Sequence, residues 1–460
     1  MEAIEDLGNR LDRFWRYYGQ KARTKTRDTR AYGLTYLKGL LRLKTDRNMA
    51  VIAREAEVSE QNIRHFISNS PWSGSAMIEQ VQQAICDRPE LAGGVLIVDE
   101  SADVKYGKSS AGSSRQHNGR LGKIEQSQVG VYLSYAKDHV WTLIDGELFV
   151  PERWFSKSYE ARRNKAEIPS DRSVFQTKIE LGWEMIKRVQ ARGLPFVAVA
   201  FDSLYGRSFW LREQCDQAGI EYYADIPANQ VLYLEQPELE YELTKTGKRR
   251  KKFKVVGQDA FKASDLAQRS QTQWESLTLR PNERGMLTAD FASYGVWVVS
   301  TEGIIRQETL LIKREAKAMR YSLTNAPETT PLFDLAQRKT QRYFVERSIQ
   351  DAKSELGMDE FRAIKYRAWQ HHLALTLLAS WFIAETRLDW QAQHPPDPSL
   401  ADDYNTDVLP ALSMSNVREM LRATLPLRQL SPLDATNLVV KHLDNRTRSR
   451  RSRLKKHSGP

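Results

Sequence analysis

Two aspartates, Asp99 and Asp202, each follow a short continuous apolar run: Val95-Leu96-Ile97-Val98 before the first, Phe196-Val197-Ala198-Val199-Ala200-Phe201 before the second. Such runs predict strands buried on both faces, each ending at its acid. Ligands of open α/β sheets gather at the carboxyl ends of strands, so both carboxylates are expected in one crevice. An aspartate also ends many strands simply because a loop begins there. Two on neighbouring strands of one sheet are the stronger signal. Close carboxylates repel unless a cation lies between them. An oxygen-only set without His or Cys favours Mg2+ or Mn2+ over Zn2+. Mg2+ leaves coordination positions for water and phosphate, which suits phosphodiester chemistry, and a two-metal site needs a third carboxylate from another element.

The third candidate is Glu346. Thr330-Pro331 and Gly357 bracket a predicted helix over 331–356, with Pro at a favoured start and Gly at a favoured stop. Within it Arg342, Glu346 and Lys353 fall within about 40° of one another at about 100° per residue. A carboxylate flanked by two cations fits a metal ligand beside a phosphate backbone. It fits a solvated salt-bridge face as well.

The elements around these acids predict an α/β chain with helices at both ends. Residues 1–90 read as helical: Ile4, Leu7, Leu11, Phe14 and Trp15 recur at helical spacing, and 32–43 continues the pattern. Lys21, Arg23, Lys25, Arg27 and Arg30 form a solvated helix end or a phosphate-contacting segment. Residues 49–66 resemble a helix-turn-helix, with Val58 in the turn and Ser59 as N-cap of a second helix. That helix would present Gln61, Asn62, Arg64 and His65 to solvent or to DNA.

From Gly94 strands take over, in the order strand, strand, strand, helix, strand, helix, strand, with helices over 175–192 and 208–218. This layout predicts a ribonuclease-H-like mixed-sheet core over 91–228. A β-rich insertion is expected over 229–325, carrying the basic run Lys248, Arg249, Arg250, Lys251 and Lys252. The core should resume over 326–390 with the helix of Glu346. Residues 391–460 read as a helical region ending in a disordered basic tail that includes Arg446, Arg448, Arg450, Arg451, Arg453, Lys455 and Lys456. The Gly- and Ser-rich stretch 107–122 lacks the spacing of a nucleotide-binding loop. It reads as a DNA-contacting hairpin bearing Lys108, Arg115 and Arg120, or as a plain flexible loop. His371 and His372 read as packing or surface residues, and Trp141, Trp154, Trp183 and Trp210 as core.

Across 460 residues the 69 Lys and Arg outnumber the 58 Asp and Glu, giving a net charge of +11, which points to an anionic partner such as nucleic acid. Two cysteines, Cys86 and Cys215, exclude a disulfide scaffold or a Cys-rich zinc site. The opening residues lack the pattern of a signal peptide, and the longest apolar run, 373–384, is shorter than the roughly 20 residues a membrane span needs. A cytoplasmic, nucleoid-associated location is expected, with no membrane partner.

Several motifs together resemble the DDE-type bacterial insertion-sequence transposases of the YREK-signature group. Arg342, Glu346 and Lys353 match the last three signature members in spacing, and Lys339 stands where the signature has Tyr. Ile97-Val98-Asp99-Glu100-Ser101 and Phe201-Asp202-Ser203-Leu204-Tyr205-Gly206 are similar to the two aspartate motifs. The 119–123, 128–131 and 352–359 stretches also look familial, and the resemblance covers roughly 90–385. It implies that Asp99, Asp202 and Glu346 are catalytic and hold two Mg2+ ions, which Mn2+ can replace. One ion would activate water and then a DNA 3′-hydroxyl, and the other would stabilise the leaving oxygen. Arg342 and Lys353 would hold the transposon-end backbone. The implied partners are double-stranded DNA, as terminal inverted repeats and target, and a second copy of the chain in a homodimer. A domesticated regulator that binds without cutting, and a nuclease that hydrolyses without joining, are the other readings of the same residues.

Overall fold

The computed structural model describes residues 2–138, 140–172, 174–243, 249–282, 285–315, 318–393 and 414–424, together with single positions between 433 and 451. Five helices lead: α1 (Glu2–Tyr18), α2 (Arg30–Arg42), α3 (Met49–Glu55), α4 (Glu60–Ser68) and α5 (Gly74–Cys86). Leu11, Phe14, Trp15 and Tyr18 recur at three- and four-residue spacing and all are buried, the pattern of a helix with one face on a core. Their partners lie near the other end of the chain. Phe14 meets Phe382 edge-on at 4.9 Å, and Trp381 Nε1 donates to the Tyr18 hydroxyl at 2.9 Å.

The centre is one large mixed sheet. Strands β1 (Gly94–Val104), β2 (Ser114–Asn118), β3 (Lys123–Lys137) and β4 (Val140–Phe149) come first. Then follow α6 (Glu160–Lys165), α7 (Lys178–Ala191), β5 (Phe196–Phe201), α8 (Ser203–Gly206), α9 (Phe209–Gln217) and β6 (Glu221–Ile226). Strands β1, β5 and β6 are parallel neighbours, linked by crossovers through α7 and α9. β3 lies antiparallel to β1, and both β2 and β4 pair with β3. The stretch 107–122 therefore carries a strand of its own. α7 starts at Lys178 rather than 175, because a capping box between Thr177 and Glu180 satisfies its first amides.

Among the described residues there follow β7 (Val231–Leu232), β8 (Glu238–Leu243), β9 (Arg249–Val256), β10 (Phe261–Lys262), α10 (Ala263–Ala267), β11 (Glu275–Asn282), β12 (Gly285–Val299), β13 (Ile305–Glu315) and β14 (Ala318–Thr324). β12 is one long strand, its pairing with β13 unbroken from Asp290 to Val299. β14 pairs with β6, so β11 to β14 continue the central sheet, in the order β11-β12-β13-β14-β6-β5-β1-β3-β2.

The closing helices are α11 (Leu332–Thr340), α12 (Tyr343–Leu356), α13 (Tyr366–Gln393) and α14 (Met414–Thr424). The single helix expected over 331–356 is thus two, with the break at Gln341-Arg342 and both Glu346 and Lys353 within α12. Gly357 ends α12 in the left-handed conformation, φ 68°, that favours glycine. α13 is buried nearly all round from Leu373 to Ala384 against the sheet and the N-terminal helices. Among the described residues no helix is long and apolar enough to cross a membrane. Arg446, Arg448, Arg450 and Arg451 lie in helical backbone, where a disordered tail was expected. An Asp444–Arg448 pair at 2.7 Å, spaced one turn apart, supports that helix. Arg453, Lys455 and Lys456 lie outside the described residues.

Candidate active site

Asp99 does not end its strand as expected. β1 runs on to Val104 because β3 keeps pairing with it, Asp99 opposite Tyr132. Only the parallel ladder stops there: its last pair is Val98 with Phe201. Asp99 and Asp202 are the next residue on each strand, so the two acids stand side by side where the sheet opens. Asp202 caps the short α8, its Oδ1 accepting from the amides of Leu204 at 2.9 Å and Tyr205 at 3.3 Å. Asp99 Oδ1 accepts from the Glu100 amide at 2.7 Å.

Both carboxyls are short of positive charge. Burial, then the Asp202 and Glu100 charges, push Asp99 up to about 7. Burial chiefly raises Asp202 as well. A buried carboxylate pair of this kind favours a proton or a cation between its members. Glu100 points to the other face of β1, as alternation along a strand requires, and pairs with Lys178 on α7 at 2.9 Å.

Glu346 sits in the first turn of α12 with its side chain 57% exposed. It is turned to Arg342, whose Nη2 donates to Oε1 at 3.1 Å. Arg342 is the N-cap residue of α12 and also donates from Nε to Asp225 at 3.0 Å. Burial opposes its charge, but Asp225, Asp99, Glu346 and Asp202 together hold its pKa above the usual value. Lys353 is buried on the inner face of the same helix, paired with Asp103 and 3.3 Å from the Ala102 carbonyl. Arg342 is therefore within electrostatic reach of the aspartate pair, Glu346 rests on Arg342, and Lys353 is turned to the strand beneath.

The donor chemistry of Asp99 and Asp202 fits a divalent cation: two adjacent oxygen-only ligands, half-buried, with no cation in an ion pair with either among the described residues. Glu346 would join them by leaving Arg342. As the side chains stand, no group of three or more His, Cys, Asp or Glu among the described residues is close enough to hold a metal ion.

Beside Glu346 opens a cleft of about 530 Å³ lined by Arg280, Lys313, Arg320, Lys339, Arg342 and Tyr343, with Asp225, Glu315 and Glu346 as its acids. Its cations come from strands and helices far apart in sequence, so no local spacing revealed them. Arg280 lies over the rings of Tyr343 and Phe344, at 5.4 and 4.5 Å.

The remaining candidates lie elsewhere. Gln61, Asn62, Arg64 and His65 are all exposed on α4, while Ile63, Phe66 and Ile67 face inward. Ser59 occupies the N-cap position, but its hydroxyl makes no capping bond. Lys108 is exposed in the loop between β1 and β2, and Arg115 and Arg120 are exposed on the β2–β3 hairpin, Arg120 facing Asp359 at 3.4 Å. Arg249, Arg250, Lys251 and Lys252 lie on the backbone of β9, and Lys248 lies outside the described residues. His371 and His372 are buried packing residues: His371 stacks on Trp72 at 3.7 Å. Trp154 and Trp183 are core, whereas Trp210 is 41% exposed.

A relative from Microchaete diplosiphon, described as a probable transposase for insertion sequence element IS701, is 25% identical over 313 residues, covering 67% of this chain and 70% of that protein. The family model described as DDE superfamily endonuclease matches residues 21–286, which include Asp99 and Asp202 and stop before Glu346. That match spans more than half of the 460 residues, and the chain belongs to the DDE superfamily endonucleases.

Proposed function

We propose that this protein is the transposase of an insertion sequence, a cut-and-paste enzyme that binds terminal inverted repeats, cleaves at them and joins the ends to target DNA. The observation that carries this reading is the side-by-side placement of Asp99 and Asp202 at the open end of a parallel ladder, with Glu346 bound to Arg342, whose charge both aspartates feel. A ribonuclease-H-like core interrupted by the β-rich stretch 229–325 is the fold this reading implies.

Asp99 and Asp202 would hold Mg2+ or Mn2+, and Glu346 would complete a two-ion set. When bound, the cations supply activation of a water or a DNA 3′-hydroxyl and stabilisation of the leaving oxygen. The chain's own residues do the rest. Arg342, once released by Glu346, keeps its charge for a backbone phosphate. The cations of the adjoining cleft hold the strand on either side. The exposed face of α4, with Gln61, Asn62 and Arg64, reads the repeat in a major groove. The protein acts in the cytoplasm, on the nucleoid, as a homodimer on DNA.

Glu346 resting on Arg342 and not on the aspartates is what a non-cutting DNA-binding regulator would also show. Purified protein, a DNA fragment ending in the element's inverted repeats, and Mg2+ separate the readings. Nicks at the repeat ends and transfer of pre-cut 3′ ends into a plasmid are expected. A protein that shifts this DNA but never nicks it with Mg2+ or Mn2+ is the regulator, and one that nicks without joining is a nuclease.

A further inference from the structure

The parallel ladder places a third acid level with the first two. β1 and β5 pair last at Val98 and Phe201, and β5 and β6 pair last at Phe201 and Ala224. Asp99, Asp202 and Asp225 are therefore successive members of one row across the sheet. Gly206 keeps the row tight. A Cβ there would overlap the Asp225 carbonyl oxygen, so the turn after Asp202 can lie directly on the Asp225 backbone only with glycine.

Asp225 differs from its neighbours in being fully compensated. Lys339 Nζ lies 2.5 Å from Oδ1, Arg342 Nε lies 3.0 Å from Oδ2, and the Ser322 hydroxyl donates at 2.7 Å. Lys339 is itself buried, and Ser322 comes from β14, opposite Asp225 in the sheet. Asp225 thus takes two cations where charge balance needs one. The trio carries a net positive charge, and Glu346 on Arg342 cancels it. Arg342 is also within electrostatic reach of Asp99 and Asp202, and Asp225 and Glu346 draw its guanidinium the other way.

We propose that Asp225 is a positioning residue for the cleavage site: with Lys339 it holds Arg342 off the Asp99–Asp202 pair, so that a divalent cation and not the guanidinium neutralises that pair. This rests on the reading of Asp99 and Asp202 as the metal-binding acids. It also gives Lys339, at the signature tyrosine position, a task of its own: its charge leaves Arg342 with spare charge for phosphate once Glu346 departs.

The test is Mn2+ binding to the full-length, DNA-free protein by calorimetry, alongside cleavage as a function of Mg2+. Asp225→Asn frees Arg342 to compete for the aspartates, so Mn2+ affinity should fall about ten-fold, with cleavage partly regained at high Mg2+. Adding Arg342→Gln should restore Mn2+ affinity to within about two-fold of wild type, although cleavage stays low. Asp225→Glu should retain more affinity than Asp225→Asn. Should Asp225→Asn fold poorly with Lys339 left unpaired, Asp225→Asn/Lys339→Met carries the same expectation. Unchanged Mn2+ affinity in these variants, or no recovery on adding Arg342→Gln, overturns the proposal. Mn2+ binding to Asp99→Asn as tight as to wild type overturns the underlying site assignment instead, and the proposal with it.

Discussion

Lys353 buries its ammonium against the Asp103 carboxylate, on the strand that carries Asp99 and the helix that carries Glu346. Four residues separate the two acids on β1, and seven separate Glu346 from Lys353 on α12. The pair therefore fixes the axial register of the helix over the strand, and with it where Glu346 can reach.

Breaking that pair should cost stability before it costs DNA contact. Lys353→Met leaves Asp103 buried and unpaired, a change worth about 3–5 kcal/mol in comparable sites. Urea unfolding of Lys353→Met and of Asp103→Asn/Lys353→Met should show the double variant recovering most of the loss. A single variant as stable as wild type would mean that Lys353 serves DNA alone.

Asp99 is held at a cost in the absence of metal. Its folded value near 7, against 3.8 for the free side chain, means that the fold retains a proton which the unfolded chain has released between those values. The favourable contribution is full below about pH 4 and is lost as pH rises through 7. Asp99→Asn should therefore be more stable than metal-free wild type by roughly 1–3 kcal/mol above pH 7, with the gap closing towards pH 4. Thermal melts in a chelator across that range check it, and added Mg2+ should stabilise wild type only.

His372 sets a second pH dependence of opposite sign. Its Nδ1 lies 2.9 Å from the Tyr36 hydroxyl and Nε2 lies 3.1 Å from the Met358 carbonyl, which satisfies one neutral tautomer. Burial, first, drives it down to about 4. The unfolded chain binds the extra proton between about 4 and 6.5, so stability should fall as pH drops through that window, by up to about 3 kcal/mol. In His372→Phe, proton uptake on unfolding at pH 5, measured by calorimetry in buffers of different ionisation enthalpy, should be smaller by about one.

The α4 surface should act on DNA without acting on the fold. Arg64 is exposed and pairs only with Glu60 one turn away on its own helix, a pair of little value to stability. Arg64→Ala should leave the melting temperature unchanged and weaken binding to the terminal repeat by about 1–3 kcal/mol if it reads a base. A uniform loss on all sequences with a shallower salt dependence would place it on phosphate.

What could be read from sequence follows from where the information is local. The runs 95–98 and 196–201 announce strands because a strand buried on both faces must be apolar throughout, and their register then aligns Asp99 with Asp202. The partner of Lys353 could not be read so. It lies 250 residues away on β1, and a helical wheel, which gives only the face of α12 that Lys353 shares with Glu346, says nothing of the strand packed beneath that face. In the sequence Asp225 is one more acid near the end of an apolar run, and its pairing with Lys339 depends on β14 carrying the chain back beside β6. A lysine in place of the signature tyrosine was the one local sign that a carboxylate had to meet it.

The central claim, that Asp99, Asp202 and Glu346 together hold the catalytic cations, is tested most directly by metal-specificity rescue. Each acid is changed to Cys, one at a time, and cleavage of repeat-ended DNA is measured in Mg2+ and in Mn2+. A thiolate is a poor ligand for hard Mg2+ and a better one for Mn2+. The expected result is loss of cleavage in Mg2+ for all three variants, with partial recovery in Mn2+ and DNA binding unchanged. Cleavage in Mg2+ at the wild-type rate by any one of them would contradict the account.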